Sequence, residues 1–190
     1  NARGVTTDSA GNIYVTGTTG GGLDGNTHAG SADIILVKYN SSGTKQWTKQ
    51  LGSSSSDVGT GVTVDSSRNI YVSVATAGAL DGNTNAGGIV LVKYNSAGTK
   101  QWIKQLATSF HTTSRGVTSD SAGNIYITGF TYGPLDGNTW AGNYDIFLVK
   151  YNSSGTKQWT KQLGSSNSDD ARGVTTDSAG NIYVAGLAHG

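Results

Sequence analysis

The segment Asp24-Gly25-Asn26-Thr27-His28-Ala29-Gly30, running on to Asp33, alternates oxygen-bearing side chains with glycine. Hard oxygen ligands on a glycine-bent loop are what a calcium ion needs, about six or more of them. Asp24, Asn26 and Asp33 are therefore candidate metal ligands, and Asp136, Asn138 and Asp145 hold the same places in another copy of the loop. A further copy keeps Asp81 and Asn83 but has lost the last carboxylate, and no closing Glu is present in any of them. The same residues also suit a loop without an ion, because Asp-Gly and Asn-Thr hydrogen-bond their own backbone as turns. The expected cofactor is none, with calcium as the alternative.

Catalytic constellations are harder to assemble. His28, His111 and His189 occupy unrelated places in the repeats, and no G-x-S-x-G elbow occurs, so a Ser-His-carboxylate triad has no obvious frame. The chain has no Cys, which excludes thiol chemistry, zinc-finger spacing and a disulfide framework. Asp169 and Asp170 are neighbours whose side chains point to opposite faces of an extended chain, most simply in a solvated loop. Gly20-Gly21-Gly22 lacks the Lys and helix of a phosphate loop and reads as a connector. Arg3, Arg115 and Arg172 recur at one position and would form an anion-attracting ring, but Thr60 breaks the set. The expectation is that the chain is not an enzyme.

Binding residues are sought where near-identical copies disagree. The position after Asn-Thr is His28, Asn85 or Trp140, and Ala32 in one copy answers to Tyr144 in another. One copy thus gathers Phe130, Tyr132, Trp140 and Tyr144 around a single loop. Aromatic side chains on a loop of a rigid scaffold can stack on a sugar ring or a partner side chain, or simply cover their own loop. Phe130, Tyr132, Trp140, Tyr144 and His28 are the candidate binding residues.

These loops belong to a repeat that governs the architecture. DGNTHAGSADIILVKYNSSGTKQW from Asp24 returns, shortened by two residues near Gly87, from Asp81 and again from Asp136. A second phrase, DSAGNIYVTG, starts at Asp8 and returns at Asp65, Asp120 and Asp177, at intervals of 57, 55 and 57 residues. Each period reads as four strands, spanning 3–7, 12–18, 33–40 and 45–51 in the first unit. The first strand carries small side chains suited to a crowded centre. The third is apolar on both faces. The fourth is studded with Lys and Gln, as on a solvated outer edge. Trp47, Trp102 and Trp159 recur at one place in it and are expected to pack between units.

Four-stranded units of this kind describe blades of an all-β fold, the β-propeller. Three blades of about 57 residues and one hairpin are expected, with units at 1–57, 58–113, 114–169 and 170–190. The first phrase matches the last, so the chain is expected to be a piece of a longer protein, or to self-associate to complete a ring. With net charge +1 there is no basic footprint for nucleic acid. No apolar run approaches the ~20 residues of a spanning helix, and no charged and apolar leader pattern is present, so membrane insertion is not expected.

The phrases GVTTDSAGNIYVTG and LDGNTHAGSADIILVKYNSSGTKQWTKQLG resemble bacterial SBBP repeats, a β-propeller repeat family. The resemblance covers essentially the whole chain; it departs at the shortened loop near Gly87 and at the linker 107–111. It implies a propeller in a secreted or surface-associated protein and carries over no catalytic residues. The expected function is a non-catalytic, extracellular scaffold or recognition module that binds a protein or polysaccharide through blade loops. A propeller enzyme with a central-channel site, or a purely architectural assembly protein, are the alternatives.

Overall fold

The computed structural model of the chain describes residues 1–82 and 88–189. Asn83, Asn85 and the shortening near Gly87 lie outside the described residues. Among the described residues fourteen strands follow one another. They are β1 (Ala2–Thr7), β2 (Ile13–Thr19), β3 (Asp33–Tyr39), β4 (Lys45–Leu51), β5 (Asp57–Val64), β6 (Ile70–Thr76), β7 (Gly88–Tyr94) and β8 (Lys100–Leu106), followed by β9 (Thr112–Ser119), β10 (Ile125–Thr131), β11 (Asp145–Tyr151), β12 (Lys157–Leu163), β13 (Asp169–Thr176) and β14 (Ile182–Ala188). β1–β4, β5–β8 and β9–β12 form three antiparallel sheets in chain order, and β13–β14 a two-stranded one. The fold is an all-β, incomplete propeller built of four-stranded blades. The chain divides into two compact units, Asn1–Ala107 and Thr108–Gly190. Among the described residues no helix is long and apolar enough to cross a membrane.

Each inner hairpin is built on one carboxylate. Asp8 Oδ1 accepts the backbone N–H of Ala10 (3.0 Å) and Asn12 (2.9 Å), while Oδ2 accepts Asn12 Nδ2 (2.8 Å) and the Tyr14 hydroxyl (3.0 Å). Asp65, Asp120 and Asp177 bind the matching Asn and Tyr in the same way. The outer hairpins use an amide instead. Asn40 Oδ1 accepts Ser42 N and Thr44 N, as Asn152 does for Ser154 and Thr156. Both devices satisfy turn backbone that no ladder bond reaches.

The Tyr of the inner hairpin opens a row across the sheet. Register places Tyr14 beside Lys38 and Lys38 beside Trp47. The Lys38 ammonium lies 5.4 Å from the Tyr14 ring, whose centroid is 6.3 Å from Trp47. Tyr71–Lys93–Trp102 and Tyr126–Lys150–Trp159 repeat the row. The expectation that the tryptophans pack between blades is therefore corrected in part: each packs first on the Tyr of its own sheet. Trp47 also reaches the turn at Gly98 of the next sheet, where an added Cβ would lie 3.1 Å from its ring.

Inner strands approach closely, as their small side chains require. A Cβ on Gly4 would meet Gly61 Cα at 3.0 Å, and one on Gly116 would meet Gly173 Cα at 3.2 Å. Beside these glycines each inner strand carries a one-residue bulge, at Arg3, Thr60, Arg115 and Arg172. In the first unit, Tyr14, Ile34 and Leu36 of one sheet pack with Val72, Val74 and Val90 of the next. In the second unit, Ile146, Leu148, Leu163 and Val184 line an open apolar groove of about 250 Å³.

The turn carboxylates make stability acid-sensitive. Burial alone would raise the Asp120 pKa, but hydrogen bonds from Asn124, Tyr126 and Ala122 outweigh it and hold it below the ordinary value. Asp8 behaves alike, and at Asp177 the Asn181 side chain leads the lowering. Such groups stabilise the fold above the unfolded carboxylate pKa of about 4, and that stability is lost as pH falls through the lower folded values. Urea denaturation should thus show a flat stability from pH 7 to about 5 and a decline below about 4. Asp120→Ala, which strands the buried Tyr126 hydroxyl, should cost about 3 kcal/mol at pH 7 and flatten the acid decline. Equal acid sensitivity in the variant would contradict this account.

Candidate functional site

The Asp-Gly loops are turns clasped to the outer strand. Asp24 and Asp136 sit in the left-handed region at φ 51° and 52°, followed by Gly25 and Gly137 at φ 78° and 75°. Two consecutive positive φ values closed by Asn26 N→Leu23 O (3.0 Å) and Asn138 N→Leu135 O (3.1 Å) make type I′ turns. Lys45 Nζ lies 2.6 Å from Asp24, Lys100 Nζ 2.6 Å from Asp81, and Lys157 pairs with Asp136. Thr48 and Thr160 add hydroxyl bonds to the same carboxylates. These lysines were expected to be solvated edge charges; in each blade the first of them ties the loop down. Asn26 and Asn138 turn their amides to the carbonyls of Leu23 and Leu135.

Asp33 and Asp145 are fully buried at the start of the third strand of their blades. Asp33 Oδ2 accepts Gln50 Nε2 (2.8 Å) and Ala29 N (2.9 Å), and His28 Nδ1 stands 3.3 Å away. Asp145 Oδ2 likewise accepts Gln162 Nε2 and Ala141 N at 2.9 Å. The other oxygen of each lies against a glycine, so that a Cβ on Gly52 or Gly164 would sit 2.1 or 2.2 Å from it. Asp24 and Asp33 thus serve different donors, as do Asp136 and Asp145. Among the described residues no group of three or more His, Cys, Asp or Glu side chains gathers as a metal site.

Asp169 and Asp170 are not in a solvated loop. Both are buried in β13, because the inner strand begins at this position. They do point to opposite sides. Asp169 accepts Ser165 N (2.6 Å) and the Ser165 hydroxyl (3.0 Å), fixing the linker. Asp170 faces two guanidinium groups, with Arg172 Nε at 2.8 Å and Arg115 Nε at 3.7 Å. Both arginines are bulge residues, and a bulge re-aims the side chain it carries.

Three of the five expected binding residues meet at one corner of the third sheet. Phe130 and Tyr144 have ring centroids 4.9 Å apart, Tyr132 and Tyr144 5.0 Å, and Phe130 and Tyr132 5.9 Å. Phe130 forms a buried floor, while Tyr132 is 44% exposed. Trp140 is also 44% exposed but bonds Asn143 O through Nε1 (3.1 Å) and rests on its own loop. His28 lies in the other unit, beside Asp33.

Sequence reasoning missed three members of this corner. His111 lies 5.6 Å from Tyr132 and 6.1 Å from Phe130, and Arg115 places its guanidinium 5.2 Å from the Phe130 ring. The Phe110 ring lies flat on Gly133, where an added Cβ would be 2.3 Å from it. The signal was available in the altered linker 107–111. Ser55 and Ser56 precede β5 where Phe110 and His111 precede β9, and Ser55 lies on Gly78 as Phe110 lies on Gly133.

The family described as SBBP, beta-propeller repeat, matches residues 1–24, 46–73, 101–136 and 158–190. Each of the two internal matches starts in an outer strand, crosses the linker after it and reaches the second strand of the following inner hairpin. The chain is 28% identical over 212 residues to an uncharacterized WD repeat-containing protein, L264, of Acanthamoeba polyphaga mimivirus, covering 84% of this chain and 15% of that protein. It is 25% identical over 187 residues to the regulatory protein FlaEY of Caulobacter vibrioides, covering 84% of this chain and 20% of that one. The chain therefore spans at most a fifth of the length of either relative.

A cation entering an Asp-Gly loop meets a carboxylate whose charge Lys45 or Lys157 already balances. Millimolar calcium should accordingly leave the melting temperature unchanged. A saturable rise that Asp24→Asn and Asp136→Asn together abolish would instead make these carboxylates ligands.

Proposed function

Since the chain belongs to the SBBP beta-propeller repeat family, we propose that it is a non-catalytic recognition module of an extracellular or cell-surface protein, binding a protein or glycan through the aromatic corner of its third blade. One observation carries the reading. Phe130, Tyr132, Tyr144 and His111 stand where other blades have Thr18, Ala77, Ala32 and Ser56. The repeat scaffold folds with small residues at these places, so its own packing does not require the rings. Exposed aromatic clusters beside arginine are typical contact centres. The extracellular setting is the one that the family resemblance implies.

The enzyme alternative has less support. His28 faces Asp33 and His111 is 3.2 Å from Thr113 Oγ1, each engaged close by in the chain, while His189 is 3.0 Å from Ser168 O in the linker before β13. The test is an array of glycans and peptides probed with the wild type and with Phe130→Thr/Tyr132→Ala/Tyr144→Ala, which restores residues of the other blades. The wild type should bind a subset that the variant does not. Identical profiles would overturn the reading.

Self-association to complete a ring is the second reading: Ile34, Leu36 and Leu51, the counterparts of Ile146, Leu148 and Leu163, pack with the next sheet in the first unit, and a second copy can supply such a sheet. Leu163 is 73% exposed, whereas its counterpart Leu51 packs against the core of the first unit. Light scattering should show a dimer that Leu163→Lys dissociates; a monomer at every concentration would dismiss this reading.

A further inference from the structure

The aromatic corner is edged by charge, and that edge narrows the ligand. Arg115 stacks over Phe130, the floor of the cluster, and Asp170 holds Arg172 beside it. Two guanidinium groups and one carboxylate leave one surplus positive charge. Asp170 pairs with the Nε of each arginine, and among the described residues their outer nitrogens make no hydrogen bond. The Arg172 side chain is 58% exposed. An exposed guanidinium fork matches a planar carboxylate in two parallel bonds.

The rings have a mixed character. Tyr132 and Tyr144 turn toward one another at 45°, and neither phenol oxygen has a hydrogen-bond partner among the described residues. Ring faces with free hydroxyl edges suit a pyranose, which presents C–H bonds on its faces and hydroxyl groups around its rim. A peptide anchor would call for a concave apolar socket. In this unit the open apolar groove lies elsewhere, on β11, β12 and β14.

Building on the recognition reading above, we infer that the corner binds an acidic polysaccharide, one pyranose stacking on Tyr132 and Tyr144 while its carboxylate meets Arg115 and Arg172. No covalent step is involved. The internal repeats supply the controls, because Thr60 occupies the bulge equivalent to both arginines, and Ala77 and Ala32 stand in for the two tyrosines.

The experiment is calorimetry of the full chain with polygalacturonate and with the same polymer fully methyl-esterified, at low and high salt. The acid form should bind about tenfold or more tightly than the ester, with the difference shrinking as salt screens the contact. Arg115→Thr/Arg172→Thr should remove the preference for the acid. Tyr132→Ala/Tyr144→Ala should weaken both polymers about tenfold with an unchanged melting temperature. Equal affinity for acid and ester, with both lost in the tyrosine variant, would overturn the acidic ligand and leave the recognition module intact. Binding of neither polymer, with peptides retained on the array, would make the partner a protein. Tyrosine variants that bind as the wild type does would remove the corner from recognition altogether.

Discussion

One carboxylate in each repeat organises what surrounds it. Asp8, Asp65, Asp120 and Asp177 each satisfy turn backbone, an Asn side chain and a Tyr hydroxyl with two oxygens. The turn fixes the register of the inner hairpin. The tyrosine then carries that register into the sheet, where its ring heads the Tyr–Lys–Trp row across three strands in each complete blade. A buried hydroxyl needs a partner, and the charged acceptor supplies one at both the turn and the core edge. Burial raises the Tyr14 pKa, and the hydrogen bond to Asp8 raises it further, so the phenol stays protonated and donating.

A scaffold so fully specified by its own repeats leaves some positions open. The inner strands meet through glycine backbone, at Gly4 with Gly61 and at Gly116 with Gly173, which excludes larger side chains there. The bulge beside each glycine and the loop ends above it are less constrained. In the third blade those freer positions carry Phe110, His111, Arg115, Phe130, Tyr132 and Tyr144. They come from the linker, the inner strand, the end of β10 and the approach to β11, all reaching the same corner. The two family matches that end in this blade and the next leave residues 137–157 unmatched, so Trp140 and Tyr144 lie outside the part of the repeat that the family defines.

The blade arrangement and its turns were legible in the chain because the residues responsible are local. Asp8 and Asn12 are four residues apart, as are Asn40 and Thr44, and their spacing alone implies the hairpins. The period-two alternation of β3 likewise places Ile34, Leu36 and Lys38 on one face. Local rules also named Phe130, Tyr132 and Tyr144, since comparing one copy with another exposes added rings without any structure.

Contacts between distant segments were beyond such reading. The sequence by itself determined an all-β repeat of four-stranded units, its turns and its deviant positions, because these depend on residues near one another in the chain. Only the tertiary structure decided that Lys45 and Lys157 occupy the carboxylates of the Asp-Gly loops, and that Trp47 packs first on Tyr14. It alone buried Asp170 between Arg115 and Arg172 and brought His111 to Phe130. Those partners are 17 or more residues apart in all but one case, Asp170 with Arg172, and there the inner-strand bulge aims the arginine. Sheet register and the packing of one inner strand on the next bring them together, and neither is written in the spacing of the side chains concerned.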